Sequence, residues 1–312
     1  MKVSGFSFVR NGVKLYYPVV ESIRSALPLV DEFVIACGDS EDGTTELIRS
    51  IGEPKVRIIE TVWDERQFVH GAVNAVQTNI ALDACSGDWC LYLQADEVLH
   101  ERYVTVLRQR MERCLNVPEI EGFLFDYVHF YGSYDLYQTA HNWYAKEIRI
   151  VRNGIGVRSW EDAQGFRING RKLRVFPAGA EIFHYGWVRP PARMMKKQIA
   201  LSSVYHDRDW VKNRYPDAEA DFDFGFLRTC RKFTGTHPAV MHKRIASMNW
   251  TVKPGKPNRK DHKHDRFSIR LLTFLENRIF HRKIGEYRNY VLIRDQKLAI
   301  PPNSSASLCN FL

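Results

Sequence analysis

The sequence predicts an α/β fold in which helices flank a mixed, mainly parallel sheet. Strand and helix patterns alternate over the first hundred residues, as they do in chains that build parallel sheets. Short continuous apolar runs, such as FVIAC at residues 33–37, are typical of strands that are covered on both faces. The 312 residues are 45% hydrophobic and 26% charged, which indicates a globular chain and excludes a disordered or collagen-like one. This length fits two domains or one large domain with a tail.

The predicted elements run βαβαβαβ over the first hundred residues. Strands are expected at residues 3–9, 33–37, 56–60 and 88–93. Pro18 suits the first position of the first helix because its φ is fixed, Ser40 or Asp42 can cap the second helix, and the third helix covers residues 71–84. Later strands are expected at residues 122–130, 146–152 and 180–185, and later helices at residues 192–205 and 266–280.

The net charge and the cysteines indicate the kind of partner and the cellular compartment. Lys and Arg outnumber Asp and Glu by 45 to 36, a net charge of +9, which favours an anionic partner. The charge alone does not choose among nucleic acid, an acidic lipid surface and a phosphorylated substrate. The six cysteines form no C-x-x-C pair and favour a reducing compartment. The sequence shows no signal peptide and no apolar run near the roughly 20 residues of a spanning helix. We expect a cytoplasmic protein, at most peripheral to the inner face of a membrane.

Ligands of such sheets bind where the parallel strands end. The polar residues at those ends are Arg10 and Asn11, Asp39 and Ser40, and the segment 94–97 (QADE). Neither G-x-G-x-x-G after the first strand nor a P-loop is present, so phosphate must be held in another way. The carboxylates of Asp96-Glu97 can hold magnesium or manganese, which bridges phosphate oxygens. Alternatively, Asp96 caps a helix that begins near Val98.

Two segments decide between these readings. FVRNGVKLYYPVVESIRSALPLVDEFVIACGDSEDGT and QTNIALDACSGDWCLYLQADEVLHE resemble, in the same order, the motifs of the family 2 glycosyltransferases of the GT-A fold. Those motifs read roughly "D-E-i-i-V-D-x-G-S-x-D-G-T" and "G-D-W-i-l-x-l-D-A-D-E". The resemblance covers residues 3–105 and extends more loosely to about residue 200.

The resemblance implies a nucleotide diphosphate sugar as donor and a divalent metal, Mn or Mg, as cofactor. The residues that it places around the base and ribose are Phe8, Val9, Asn11, Asp39, Ser40 and Asn79. Gln94-Ala95-Asp96 takes the place of the D-x-D metal motif, with Asp96 as the direct ligand and Gln94 as a ribose or water-mediated contact. Cys37 stands where the family usually has an acidic residue, and Asp39 where it usually has glycine. His184, in FHYGW, resembles a further metal or phosphate ligand, although a histidine at a strand end is often structural.

Sugar transfer with inversion needs a carboxylate that takes the acceptor proton. The family places this base on a loop after the metal motif, and Asp162 fits that place, with Glu161 orienting the acceptor or substituting as base. A solvated acidic turn is the alternative. Trp160 and Trp187 are expected at the acceptor, although each fits a core position equally well. Beyond them, Arg189, Lys196 and Lys197 either neutralise the diphosphate or form a solvated helix face.

These predictions describe a GT-A-like catalytic domain over residues 1–250 and a basic helical extension over residues 251–312. Residues 1–105 form the nucleotide-binding half and residues 106–250 the acceptor half. The helix at residues 266–280 packs on the catalytic domain or lies on an anionic bilayer, with packing favoured.

The predicted activity is metal-dependent, inverting transfer of a sugar to a glycan or lipid-linked acceptor, in cell-surface polysaccharide synthesis. One alternative from another class is a binding module for nucleic acid or an anionic surface, for which the net charge is the only support. A sugar nucleotidyltransferase is the nearer alternative, with Arg10 as the residue that would cradle a triphosphate. We expect no nucleic-acid partner.

Overall fold

A computed structural model describes residues 1–64, 66, 68, 70–225, 227–252, 254–255 and 266–293. The strands are β1 (Val3–Val9), β2 (Glu32–Cys37), β3 (Val56–Glu60), β4 (Trp89–Tyr92), β5 (Glu97–Leu99), β6 (Gly122–Tyr131), β7 (Leu136–Gln138), β8 (Lys146–Arg152), β9 (Val157–Trp160), β10 (Gly165–Ile168), β11 (Arg171–Lys172), β12 (Arg174–Trp187), β13 (Cys230–Lys232) and β14 (Val291–Leu292). The α-helices are α1 (Val19–Ala26), α2 (Thr44–Arg49), α3 (Ala72–Asp83), α4 (Val104–Cys114), α5 (Pro191–Ser203), α6 (Arg208–Arg214), α7 (His242–Ala246) and α8 (Phe267–Leu275). Single turns of 3₁₀-helix lie at Glu101–Tyr103, Leu227–Thr229 and Ala239–Met241, and a π-helical turn, Glu276–Phe280, follows α8.

One mixed sheet joins the two halves of the chain. Its parallel half has the order β3-β2-β1-β4. β8 then pairs antiparallel with β4, and β6 pairs antiparallel with β8. The long strand β12 runs parallel to β6 and also pairs antiparallel with the short β5. This pairing brings the segment after β4 beside the end of β12. A separate antiparallel sheet has the order β11-β10-β9.

The core follows from the alternation of side chains along the strands. In β2, Phe33 and Ile35 belong to the cluster on one face of the sheet, which packs on α1 and α4. Val34 and Ala36 belong to the cluster on the other face, with Leu82 of α3. Because both faces of β2 are covered, its sequence is a continuous apolar run, as expected for a buried strand.

The predicted α/β fold is confirmed, and so is the order of its first elements. The alternative that Asp96 caps a helix near Val98 is wrong, since Glu97–Leu99 form β5 and are buried against β12. Pro18 precedes α1 instead of opening it. Gly43, with a φ of 76°, stands directly before α2. Of the two expected caps, Asp42 reaches the helix, because its Oδ1 accepts from the backbone N–H of Thr44 over 3.2 Å, whereas Ser40 accepts from the backbone N–H of Asn11.

The described part of the C-terminal region packs on the rest of the chain. The backbone N–H of His141 donates to Thr273 Oγ1 over 2.9 Å, and His141 Nδ1 lies 2.7 Å from Glu276 Oε1. Lys283 Nζ donates to the carbonyl oxygen of Ala140 over 2.8 Å. The basic segment at residues 256–265 and the terminus at residues 294–312 lie outside the described residues, and the domain boundaries of the sequence analysis remain predictions. Within the described residues, no helix has the length and apolar content to cross a membrane.

Candidate active site

A cavity of about 450 Å³ opens where β1 and β4 end, a volume typical of small-ligand sites. Its wall includes Phe8, Asn11, Gln94, Asp96 and Asp162. Val9, Ala95, His184 and Trp187, all expected at the site, also line it. The cavity therefore contains the predicted metal ligand and the predicted base together.

One end of the cavity is aromatic. Phe8 lies 6.1 Å from Trp63, centroid to centroid, and Phe68 packs edge-on against Trp63 at the same distance. Trp63 Nε1 is buried and has no hydrogen-bond partner among the described residues. The flat face of the Trp63 ring suits a nucleobase, which offers a π face to stack on. A Cβ on Gly38 would stand 2.5 Å from Trp63 Nε1, so only glycine leaves room for the indole there.

Asp39 and Ser40 do not line this cavity, but they bond to residues that do. Both oxygens of Asp39 lie near the Arg10 guanidinium, at 3.1 and 3.2 Å, and its Oδ1 accepts from the backbone N–H of Trp63. Ser40 Oγ accepts from the backbone N–H of Asn11 over 2.9 Å, which supports the left-handed backbone of Asn11. These residues therefore hold Arg10, Asn11 and Trp63 in place.

Asn79 also lies outside the cavity. Its Oδ1 accepts from the backbone N–H of Ser159 over 2.9 Å, so it joins α3 to β9. The asparagine of α3 that lines the cavity is Asn74.

Asp96 lies among buried cations. Lys197 Nζ is 3.3 Å from Asp96 Oδ2 and donates to the carbonyl oxygen of Gly186, as does the buried guanidinium of Arg189. Burial alone would raise the pKa of Asp96, but Lys197, His184 and Arg189 outweigh it and lower the pKa to about 2. Burial and Arg189 lower the pKa of Lys197 to about 8, against the opposing effect of Asp96, so the amine is protonated at neutral pH. Two cations against one carboxylate leave positive charge for an anionic ligand.

The hydrogen bonds of His129 fix which nitrogen of His184 carries the proton. His129 Nε2 lies 2.7 Å from the carbonyl oxygen of Tyr144, so Nε2 must be the donor. Burial lowers the pKa of His129 well below 6.5, and the ring is neutral with Nδ1 as an acceptor. His184 Nδ1, 2.9 Å away, therefore donates to it. Because burial also lowers the pKa of His184 despite Asp96, His184 Nε2 keeps its lone pair, 3.8 Å from Asp96 Oδ1.

Asp162 lies on the tight turn between β9 and β10. The residues on either side of it, Glu161 and Ala163, have φ of 52° and 68°, a strained conformation for residues with a Cβ that is often found at functional sites. Asp162 Oδ1 accepts from the backbone N–H of Gln164 over 3.3 Å, and Oδ2 accepts from Tyr205 O–H over 3.2 Å. The turn thus holds the carboxylate in a defined orientation at the cavity wall.

The sequence matches the profile "Glycosyl transferase family 2" over residues 9–173, which is more than half of the chain. This chain belongs to glycosyl transferase family 2. The matched range includes the residues that follow β1, β3 and β4 and line the cavity, but it stops before the end of β12.

Comparisons with solved structures give matches of low similarity. Mannosyl-3-phosphoglycerate synthase from Rubrobacter xylanophilus is 22% identical, with 41% of each chain covered and a TM-score of 0.30. Glucosyl-3-phosphoglycerate synthase from Mycobacterium tuberculosis is 20% identical, with 42% of this chain and 45% of that chain covered and a TM-score of 0.28. S. aureus TarS is 13% identical, with 65% of this chain and 39% of that chain covered and a TM-score of 0.38. The chain therefore spans less than half the length of these structures. Comparison with curated proteins gave no match.

The cavity of this family 2 chain offers two ligands for a divalent cation. Among the described residues, no group of three or more His, Cys, Asp or Glu side chains could hold a metal ion. Asp96 Oδ1 and His184 Nε2 nevertheless face each other with lone pairs available. Gly186 leaves the space between them open, because a Cβ there would stand 2.4 Å from His184 Nε2 and 2.7 Å from Asp96 Oδ2. Two protein ligands fit a cation such as magnesium or manganese that takes further oxygens from a diphosphate and water.

Glu97, the neighbour of Asp96, has no part in such a site. It is fully buried in a bidentate ion pair with Arg149, with N–O distances of 2.8 and 2.9 Å. Tyr127 O–H also donates to Glu97, over 2.7 Å. The two neighbouring carboxylates therefore have different roles. Glu97 anchors β5, whereas Asp96 faces the cavity.

A second cavity, of about 470 Å³, lies beside the first. Both cavities are lined by Trp143, Tyr144, Asp162 and Gln164. The predicted base therefore lies at their junction. Glu161 and Trp160 line only the second cavity, and Trp187 lines only the first. The two tryptophans that were both expected at the acceptor thus lie in different cavities.

Several residues that line the cavity or contact its lining residues were missed or left open by the sequence. Trp63 lies shortly after β3, and its position at the end of a parallel strand is a signal that could have indicated it. Arg189 and Lys197 were expected either to neutralise the diphosphate or to form a solvated helix face, and their burial excludes the solvated face. Lys196 does face solvent, where it pairs with Glu219 at 3.3 Å. The sequence around His129 did not indicate its contact with the site, because its partner, His184, is 55 residues away in the chain.

Proposed function

We propose that this chain is an inverting glycosyltransferase that moves a sugar from a nucleotide diphosphate sugar to an acceptor hydroxyl. The observation that carries the proposal is that Asp96, with its buried cations, and Asp162 share one cavity with an aromatic end. The base would stack against Phe8 and Trp63, and the diphosphate would lie toward Asp96. The sugar would then point toward Asp162 at the junction with the second cavity.

Each charged group has a defined task in this scheme. Asp162, held by Gln164 and Tyr205, takes the proton of the acceptor hydroxyl as that oxygen attacks the anomeric carbon. Lys197 and Arg189 neutralise the charge that develops on the leaving diphosphate, in a buried setting where such interactions are strong. Asp96 and His184 would hold a divalent cation, which supplies Lewis-acid stabilisation of the diphosphate.

The test is turnover of the donor. Purified protein is incubated with a panel of nucleotide diphosphate sugars and MnCl₂, and release of the nucleoside diphosphate is followed by chromatography. We expect release from at least one donor, with loss of the activity in Asp96→Ala. Release of pyrophosphate from a nucleoside triphosphate would instead support the nucleotidyltransferase, and metal-independent binding of polynucleotides would support the nucleic-acid module. Arg10 favours neither alternative, because it is engaged by Asp39.

We further propose that the acceptor belongs to a cell-surface glycan or glycolipid and that α8 contacts an anionic membrane. The inner side of this region packs through Thr273 and Glu276, yet Phe267 is 78% exposed and Phe274 57% exposed. The exposed apolar residues are Phe267, Leu271, Phe274, Ile279 and Phe280. Exposed arginines lie in the same segment, at positions 266, 270, 278 and 282. Apolar residues interspersed with cations suit the interface of an anionic bilayer.

Co-sedimentation with vesicles tests this contact. We expect the chain to bind vesicles of mixed phosphatidylglycerol and phosphatidylcholine, and binding to fall in Phe267→Ser/Phe274→Ser. Leu47→Ser is the control, since Leu47 is a partly exposed apolar residue on α2. Equal binding to pure phosphatidylcholine vesicles, or no loss in the double variant, would refute the contact.

A further inference from the structure

The second cavity contains a buried carboxyl group that the proposed mechanism does not use. Glu147, on β8, is 8% exposed and lines this cavity. Its Oε2 is buried and has no hydrogen-bond partner among the described residues. A buried polar atom that lacks a partner costs about 1–3 kcal/mol. A group that carries this cost at a cavity wall points to a ligand that pairs with it.

The other acidic groups of the cavity are already engaged or exposed. Glu286 Oε1 accepts from the backbone N–H of Ala145 over 2.8 Å, and Asp162 is held by Gln164 and Tyr205. Glu161 is exposed on its turn. Glu147 is thus the one of these four carboxyl groups that lines the cavity while buried and with an oxygen atom that lacks a partner among the described residues.

The charge of the cavity restricts what can enter it. Four carboxyl groups, those of Glu147, Glu161, Asp162 and Glu286, line it. Its cationic side chain is that of Arg167, whose NH1 donates to the carbonyl oxygens of Phe166 and Asn289. A ligand with an anionic group would meet this surplus of negative charge at close range, which costs free energy. A ligand with hydroxyl or amino groups would find acceptors instead.

The remaining walls suit a sugar ring. Trp160 is 41% exposed and Tyr287 74% exposed, so both present aromatic surface on which the C–H face of a sugar can pack. The volume of about 470 Å³ accommodates a small ligand. A ring placed here would lie beside Asp162, where the acceptor hydroxyl has to be.

We propose that the second cavity binds the acceptor as a sugar ring without anionic substituents, and that Glu147 determines specificity by binding a hydroxyl or amino group of that ring. This inference rests on the proposed function, since the acceptor role comes from the position of Asp162. It adds the class of acceptor, an uncharged or amino sugar instead of a phosphorylated or uronic one.

The experiment uses the full chain labelled with 5-fluorotryptophan and observed by ¹⁹F NMR. Trp160→Phe assigns the resonance of Trp160, which lines the second cavity and not the first. The probes are the methyl glycosides of glucose, galactose, mannose, glucosamine and glucuronic acid, titrated with and without UDP and MnCl₂. We expect at least one neutral or amino glycoside to shift the Trp160 resonance, and the glucuronide to leave it unchanged.

Glu147→Gln separates recognition from folding. Sugar binding should weaken about tenfold, the scale of one lost hydrogen bond, while the variant is folded and no less stable at neutral pH. Glu53→Gln is the charge-matched control, because Glu53 is exposed and lines neither cavity. The control should bind the sugar as the wild type does.

Three results would overturn the inference: no glycoside moves the Trp160 resonance, the glucuronide binds as well as the neutral sugars, or Glu147→Gln binds sugar as tightly as the wild type. Donor binding is followed on the same samples through the remaining tryptophan resonances. Loss of nucleotide binding with sugar binding retained would refute the donor assignment, whereas the reverse would refute the acceptor class alone.

Discussion

Replacement of Glu147 by glutamine should make the protein more stable at neutral pH but not in mild acid. Burial raises the pKa of this carboxyl group from 4.5 to about 7; Glu97, Asp162 and Glu286 add to the effect, and Arg149 opposes it. The folded state therefore holds a proton that the unfolded chain releases near pH 4.5. As the pH rises from about 4.5 to about 7, the free energy of unfolding of the wild type falls on account of this group.

The size of the effect follows from the pKa. Each pKa unit corresponds to about 1.4 kcal/mol, so ionising Glu147 costs the folded state up to about 3 kcal/mol above pH 7. Glutamine fills nearly the same volume and never ionises. The stability difference between Glu147→Gln and the wild type should thus be small near pH 5 and should approach this limit near pH 8.

Urea unfolding followed by tryptophan fluorescence at the two pH values measures that difference. Glu53→Gln, an exposed carboxylate, provides the control and should show no pH-dependent gain. A stability difference that is the same at both pH values would show that Glu147 is ionised with its ordinary pKa in the folded chain. A large loss of stability at both would show that the carboxylate is structural.

Three further substitutions test the proposed active site. Asp162→Ala should leave nucleotide binding intact and slow transfer by at least about a hundredfold, the scale of one lost general base, as measured by donor turnover. Gly186→Ala should remove the effect of Mn²⁺ on nucleotide binding in a thermal-shift assay, because the added methyl group enters the space between His184 and Asp96. His129→Phe should weaken Mn²⁺ binding in the presence of a nucleoside diphosphate about tenfold to a hundredfold, as expected when a residue that orients a ligand is lost, measured by electron paramagnetic resonance.

Each of these substitutions has an outcome that contradicts the reasoning. Equal loss of nucleotide binding in Asp162→Ala and Asp96→Ala would refute the division between base and metal ligand. Retained Mn²⁺ dependence in Gly186→Ala would place the cation elsewhere. For His129→Phe, the matched control is His237→Phe, since His237 bonds to Tyr185 and Tyr134 outside the cavity. Equal effects of the two histidine variants would indicate general destabilisation.

The location of the site was predictable because parallel strands end at one edge of the sheet. β1 and β4 were recognisable from apolar runs, and the polar residues after them form the cavity wall, including Asn11 and Asp96. The family resemblance supplied the role proposed for Asp96, which its position alone left open. The same resemblance pointed to Asp162 as the proposed base, on a loop after the metal motif.

The parts that could not be predicted depend on contacts between distant segments. The sequence of α5 reads as a basic helix, and only its packing shows that Lys197 is buried beside Asp96 while Lys196 faces solvent. Asn79 and Asn74 lie on one helix with similar sequence surroundings, and the position of β9 decides which of them reaches the cavity. The missing partner of Glu147 is likewise a property of the assembled walls.

Calorimetric titration of nucleoside diphosphates, with and without MnCl₂, tests the central claim most directly. We expect at least one nucleoside diphosphate to bind at least about tenfold more tightly with Mn²⁺, because a ligated cation lets the diphosphate meet Asp96 and His184 without repulsion. Asp96→Asn, checked for folding by circular dichroism, should lose that metal dependence. Binding that is equally tight without metal, or a dependence on Mn²⁺ that persists in Asp96→Asn, would contradict the account.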